Sequence, residues 1–401
     1  VLTTAEALEA VLRSVPALPA ERVPLDRARG RVLRQTVIAE RDQPPFDRVM
    51  MDGIAVDFAL LAAGRRSFPL QALQAAGDPA LTLDPGKAIE IMTGAALPAG
   101  ADCIVPVERI DIRDGTATIE DRYIAESRQF IHPRASDHTK GTVLLRPGTR
   151  IGAAELAVVA SSGLTEAEVA RLPSMAVVST GNELVPAGQP IADHQVRMSN
   201  GPAVAALLAE HGYGDALHAH LPDDVGELEA GLGDLLAGND VLVLSGGVSM
   251  GKADFVPTVL ARLGVEQVFH KVSQRPGKPM WFGSGPRGQA VFALPGNPVS
   301  TLVCCRRYVL PALGRMAGLP APPPQFAVLA QAVSFTPQLT WFLPVRLVSS
   351  AAGQLLALPA PTNTSGDFAA LTGTDGFAEL AAERTDFPAG TVVPLHRWRS
   401  F

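Results

Sequence analysis

Aromatic residues are scarce: Phe, Trp and Tyr make up 5% of the 401 residues, so Val, Leu and Ala must carry the packing. Cysteine is scarcer still, with Cys103, Cys304 and Cys305 alone. An odd count with two neighbours is neither a disulfide framework nor a zinc-ligand spacing, and it reads as buried thiols in a reducing compartment. No apolar run approaches the roughly 18 residues needed to span a bilayer. There is no run of Lys or Arg and the net charge is −6, which argues against a nucleic-acid partner, because affinity for a phosphate backbone needs clustered cations. The first 15 residues, Val1 to Val15, lack the basic region and apolar block of a secretory signal, so the expected location is cytoplasmic.

What is abundant is apolar material, at 47%, punctuated by 37 glycines and 34 prolines spread along the chain. That pattern suggests many turns and several β-rich parts, and the length allows two to four domains at roughly 100–200 residues each. TAEALEAVLRSV has helical spacing at Leu8, Val11, Leu12 and Val15, with Thr3 or Thr4 available as a cap. From Arg41 to Lys140, short apolar runs such as AIEIMTG, DCIVPVE and TATIED alternate with Gly and Pro, predicting a compact β domain. GAAELAVVASSG reads as a helix ending at Gly163.

From Ser174 to Gly318 the rhythm becomes strand, helix, strand, helix. MAVVST, ALHAHL, DVLVLS and QAVFAL are strands. Helices follow Asn200, Asp223 and Phe255, and Pro298 opens a long one through Met316. Such alternation predicts a doubly wound, mostly parallel sheet with helices on both faces. APPPQ (321–325) is a linker, and the remainder reads as a small C-terminal β domain. The expected layout is therefore an extended helical part from 1–40 plus 141–173, a β domain over 41–140, an α/β domain over 174–318 and a β domain over 326–401.

Ligands of open α/β sheets bind beyond the carboxyl ends of the strands. Those ends carry Thr180, Gly181, Asn182 and Glu183; Asp223 and Asp224; Gly246, Gly247, Ser249 and Asp254; and Pro295, Gly296, Asn297, Pro298 and Ser300. One rim thus holds two glycine-rich turns leading into helices, whose exposed N–H groups suit phosphate oxygens, and carboxylates that suit Mg²⁺. GGVSMGKAD matches the G-x-x-x-x-G-K half of a nucleotide P-loop, but Ala253 stands where a Ser or Thr hydroxyl would meet magnesium. It is better read as a phosphate-binding turn with its own metal carboxylate, Asp254; a tight strand-to-helix turn with a capping Asp is the plainer reading. In RPGKP, Arg275 and Lys278 flank a Pro-Gly turn, which could serve an oxyanion site, although spacing alone favours a solvated hairpin turn. His218 and His220 share one face of a strand with no third ligand in view, so packing is favoured over metal binding.

Taken together, MMDGIAV, IMTGA, STGNEL, LPDD, SGGVSMGKADF, RPGKPM and LPGNPVS occur in an order and spacing that resembles the molybdopterin molybdenumtransferase family, known as MoeA in bacteria and as the C-terminal domain of gephyrin in animals. The resemblance covers the whole chain. It implies a homodimer with an α/β domain of molybdopterin-binding type. It implies insertion of molybdenum from molybdate into the dithiolene of adenylylated molybdopterin, with Mg²⁺-dependent release of AMP. An adenylyltransferase upstream and molybdoenzymes downstream are the implied protein partners. By motif, Asp52, Thr93, Glu183, Asp223 and Asp254 match functional positions, with Glu183, Asp223 and Asp254 toward the metal. Gly246, Gly247, Ser249, Pro295, Gly296, Asn297 and Ser300 match the cofactor turns; Arg275, Lys278, Arg346 and Ser365 match positions linked to molybdate.

This sequence departs from the family pattern at Ile54, where Tyr is usual, at Asn182 in place of Asp, at Arg275 in place of Lys, and at Ala135-Ser136 before Asp137. Two other readings stay open: an adenylyltransferase acting one step earlier on ATP and free molybdopterin, and a scaffold or delivery protein that binds molybdopterin without turnover.

Overall fold

A computed structural model describes residues 1–248 and 255–399. The chain forms two compact units: Val1–Arg34, Pro147–Gly152 and Glu168–Phe401 make one, and Gln35–Arg146 with Ala153–Ala167 make the other. Helix α1, Thr4–Ser14, opens the first unit. Thr3 and Glu6 close a capping box: the Glu6 N–H donates to the Thr3 hydroxyl at 3.2 Å and the Thr3 N–H to the Glu6 carboxylate at 2.8 Å. The buried stripe of α1 is Thr4, Ala7 and Val11, with Val15 just beyond it; of the expected Leu8, Val11, Leu12 and Val15, the two valines are buried and the two leucines lie at the margin. Small Ala7 lets the helix approach the core closely, and Leu8 covers the edge of the contact.

The second unit is built on a six-stranded sheet. Its strands are β1 (Gly53–Val56), β2 (Ser67–Gln74), β3 (Ala88–Ile91), β4 (Cys103–Pro106), β5 (Ile110–Arg113) and β6 (Thr116–Ile119), in the order β4-β1-β3-β2-β6-β5. All four residues of β1 are buried, because two hydrophobic clusters cover its faces: Ala55 joins Ile89, Ile91 and Ile104, and Ile54 and Val56 join Phe68 and Val105. Ile54 thus lies in a packed core.

In the first unit the central sheet contains β7 (Met175–Thr180), β8 (Ala216–Leu221), β9 (Val241–Ser245), β10 (Glu266–His270), β12 (Trp281–Ser284) and β13 (Ala290–Leu294), in the order β8-β7-β9-β13-β12-β10. The short β11, Gln274–Arg275, leaves this sheet. Strands β8, β7, β9 and β13 are parallel, and β12 and β10 complete the sheet antiparallel. Alternation splits β7 and β9 cleanly. Met175, Val177, Val241 and Val243 meet α1, α2 (Asn200–Glu210) and the helix after Pro298. Ala176, Val178, Leu242 and Leu244 meet α3 (Val225–Gly238) and α4 (Val256–Arg262). Helices on both faces are why these strands read as unbroken apolar runs. Leu228, Leu232 and Leu236 anchor α3, each contributing about 2 kcal/mol by burial.

The helix after Pro298 is three pieces: α5 (Pro298–Cys304), a π-helical turn (Cys305–Val309) and α6 (Leu310–Ala317). Pro311 has no N–H to give the Arg307 carbonyl, and the wide turn just before it accommodates that missing bond. The expected long helix from Pro298 through Met316 is present, with this wide turn within it.

Residues after 325 close into a small barrel of β14 (Gln325–Leu329), β15 (Thr340–Ser349), β16 (Leu355–Pro359), β17 (Gly376–Leu380) and β18 (Val392–Arg397). The order β15-β16-β14-β18-β17 returns to β15 and closes the sheet, and β11 pairs in parallel with Thr340 and Trp341 at the start of β15, which β16 does not reach. Among the described residues no helix is long and apolar enough to cross a membrane.

Candidate functional site

The carboxyl rim of the α/β sheet is a set of close backbone approaches. Gly181 follows β7, and its N–H donates to the Leu221 carbonyl at the end of β8 at 3.3 Å. The Asp223 N–H donates to the Asn182 side-chain oxygen at 3.0 Å, tying the two loops together. The Glu183 carboxylate folds back over the turn: a Cβ on Gly181 would sit 2.6 Å from one of its oxygens. The Glu183 carboxylate and the Asp223 backbone are thus each tied to the Gly181–Asn182 turn. His220 sits 2.9 Å from the Gly181 carbonyl, and since a carbonyl only accepts, Nε2 must carry the proton. It holds this turn, a role that the sequence reading, which favoured packing over metal binding, did not specify.

Beside this turn, Gly246 has φ +101°, and a Cβ there would lie 2.6 Å from the Thr180 carbonyl oxygen. Gly246 donates to the Leu294 carbonyl at 3.2 Å, and a Cβ on Gly296 would be 3.5 Å from the Gly246 Cα. Gly246, Gly247, Pro295 and Gly296 thus form a stack of turns with little side chain between them. Ser249 and Asp254 lie outside the described residues. Among the described residues no group of three or more His, Cys, Asp or Glu side chains could hold a metal ion.

The second glycine turn differs from its expected form. Asn200 donates to the Gly296 carbonyl at 2.7 Å, and Asn297 donates to the Ser365 hydroxyl at 2.9 Å. The Val299 N–H donates to the Ser365 carbonyl at 3.0 Å. Ser365 therefore caps the start of α5, and Ser300 is buried in the helix at 3% exposure. A groove of about 530 Å³ begins at Asn200 and Pro298 and runs past Phe368, Leu371 and Trp398.

Arg275 and Lys278 are both exposed on the turn after β11. The Arg275 guanidinium lies 5.9 Å from the Phe335 ring centroid, and Phe335 stacks on Trp341 at 4.7 Å. Arg275 pairs with Trp341 in β15. Arg346 is exposed five residues further along that strand, roughly 17 Å at about 3.3 Å per residue. Alternation puts Arg346 on the face of Phe342, which packs against Val299 and Val303 of α5.

In the other unit, Asp52 and Thr93 meet because β1 and β3 pair with Gly53 opposite Ile91. One Asp52 oxygen accepts both the Thr93 hydroxyl and the Thr93 N–H, each at 2.7 Å. Those two bonds hold the Asp52 carboxyl below its ordinary pKa. Gly53 is fixed by a neighbour: a Cβ would lie 2.0 Å from the Val105 carbonyl oxygen. Met50 is 54% exposed beside this acid.

A doubly wound α/β domain with glycine turns on its rim, joined to a closed β-barrel, defines a multidomain class of protein. Comparison with known proteins narrows the class. Three family models match in order: "MoeA N-terminal region (domain I and II)" over residues 2–163, "Probable molybdopterin binding domain" over 176–315, and "MoeA C-terminal region (domain IV)" over 327–398. A molybdopterin molybdenumtransferase of Synechocystis sp. is 37% identical over 399 residues, covering 99% of this chain and 100% of that protein. One from Staphylococcus epidermidis is 27% identical over 98% of this chain and 95% of its own length. The solved structure of the molybdopterin biosynthesis MoeA protein from Pyrococcus horikoshii superposes with a TM-score of 0.83 at 30% identity, covering 100% of both chains. The chain belongs to the molybdopterin molybdenumtransferase (MoeA) family.

Proposed function

We propose that this protein inserts molybdenum from molybdate into the dithiolene of adenylylated molybdopterin and releases AMP. The observation that carries the reading is the Gly181–Asn182 turn, over which the Glu183 carboxylate folds and to which the Asp223 N–H is tied, beside the Gly246–Gly247 turn. A phosphate linkage seated on those glycines would meet little side chain, with Glu183 and Asp223 on the neighbouring loops to supply acids. The donor set suits Mg²⁺, which takes one or two carboxylates plus phosphate oxygens and keeps its waters. Glu183 and Asp223 would hold it, with Asp254 as the third acid by motif. When bound, it neutralises charge on the phosphate and favours loss of AMP.

Molybdate and the dithiolene sulfurs are both anionic, so bringing them together needs fixed positive charge. Arg275 and Lys278 supply it from one turn, with Arg275 held over Phe335. Arg346 and Ser365 belong to the same reading through their matching motif positions. Asp52 and Thr93 stay a charge-bearing pair at neutral pH and serve the reaction from the MMDG-bearing unit, in a homodimer. The supplier of substrate is an adenylyltransferase and the acceptors are molybdoenzymes.

The test is to assay Glu183→Gln and Asp223→Asn for molybdate-dependent AMP release. Each is expected to fall at least 100-fold while the melting temperature changes little. Full activity in both folded variants contradicts the assignment.

A further inference from the structure

Gln274 immediately precedes the Arg275–Lys278 turn and has no exposed surface at all. Its Nε2 lies 3.2 Å from the Pro276 carbonyl oxygen, 3.3 Å from the Gly277 carbonyl oxygen and 3.3 Å from the Cys304 sulfur. Its Oε1 accepts from the hydroxyl of Tyr308, which is itself fully buried. The orientation of the amide is forced: two carbonyls can only accept, so the NH₂ must face them, and the oxygen is left for the Tyr308 hydroxyl. Tyr308 comes from the π-helical turn, and Cys304 is the last residue of α5. Gly277 rests directly on this platform, because a Cβ there would sit 2.5 Å from the Cys304 sulfur and 2.7 Å from Nε2.

A buried carboxamide costs stability unless every polar atom is satisfied, and a Met or Leu of similar size would fill the space at lower cost. Here every bond of the amide goes to the turn or to the helix beneath it. Its two turn partners are the very residues between Arg275 and Lys278. A fully satisfied buried polar network selects one backbone geometry. We propose that Gln274, backed by Tyr308, is a positioning residue for the oxyanion subsite formed by Arg275 and Lys278, fixing the spacing of the two cations. The inference rests on the reading of that turn as the molybdate site.

The experiment measures KM for molybdate and for adenylylated molybdopterin separately, in full-length Gln274→Met, Tyr308→Phe, Lys278→Ala and the Gln274→Met/Lys278→Ala double variant. The expected result is a rise of about tenfold in the molybdate KM for Gln274→Met and a smaller rise for Tyr308→Phe. The KM for adenylylated molybdopterin stays within about twofold. The double variant is expected to be no worse for molybdate than Lys278→Ala alone, because a residue acting through a cation has no effect once the cation is gone. If Gln274→Met does not fold, Tyr308→Phe, which removes a single hydroxyl, carries the same KM comparison. If Lys278→Ala raises the molybdate KM and Gln274→Met and Tyr308→Phe do not, the positioning role is overturned while the reading of the turn stands. If Lys278→Ala leaves that KM unchanged, the reading of the turn falls and the inference falls with it. Effects that simply add in the double variant, or that appear only as lost folded protein, also overturn it.

Discussion

At the scale of single residues, the rim is defined as much by what has no side chain as by what carries charge. Gly246 combines φ +101° with a Thr180 oxygen 2.6 Å from where a Cβ would be. Gly246→Ala is expected to lose about 2 kcal/mol or more of stability, read as a lowered urea midpoint, since a strained backbone and a clash act together. An unchanged midpoint would mean the turn relaxes freely. Glu183 and Asp223 stand out in the sequence as candidates because each follows a strand by a few residues. The Asn182 bridge was not, because its partner is a backbone N–H on another loop, 41 positions away. Asn182 stands where the family usually has Asp, and the side-chain oxygen that accepts from Asp223 is kept while one negative charge beside two acids is removed. His220, read as packing rather than a metal ligand, makes its bond to the Gly181 carbonyl, a partner that nothing in residue type or spacing marks.

At the scale of elements, the alternation of strands and helices was readable because helices cover both faces of the sheet, which makes MAVVST and DVLVLS continuous apolar runs. The π-helical turn was not readable, since Cys305–Val309 has ordinary helical composition. That turn directs Tyr308 to Gln274 and Arg307 to Glu379. Glu379, on β17, also accepts from His396 at 2.7 Å and from the Thr4 hydroxyl of α1 at 3.0 Å, so it joins helix and barrel. Burial pushes the Glu379 carboxyl up, but the His396 hydrogen bond and the Arg307 charge outweigh it and hold the group at about 2. Burial pushes His396 down despite its bond to Glu379, so the pair at neutral pH is a carboxylate with a neutral imidazole donating from Nε2. Both groups bind protons more readily in the unfolded chain. Their stabilisation is complete above the ordinary His value of 6.5 and falls with falling pH, first through His396. The Glu379 share is lost between its ordinary 4.5 and about 2, on the order of 3 kcal/mol in total. Urea unfolding across that range should show this loss in the wild type and a markedly smaller one in Glu379→Gln. Equal acid sensitivity in both proteins would contradict it.

At the scale of the whole molecule, the β-rich character of the last segment was legible and its closure was not. β15 pairs with β16 on one side and β17 on the other, and such long-range pairing leaves no mark in local periodicity. The order of motifs along the chain did carry the family, and a relative matching 99% of the chain agrees with it. The two compact units each hold part of the candidate machinery: Asp52 with Thr93 in one, and Glu183 with Asp223, Arg275 and Lys278 in the other. The central claim is turnover, not mere binding, of adenylylated molybdopterin. The most direct measurement incubates the purified protein with adenylylated molybdopterin and Mg²⁺, with and without molybdate, and quantifies AMP together with molybdenum bound to the pterin product. The account predicts AMP only when molybdate is present, in amounts equal to the molybdenum incorporated. Tight binding of the substrate with no AMP in the presence of molybdate and Mg²⁺ would contradict it.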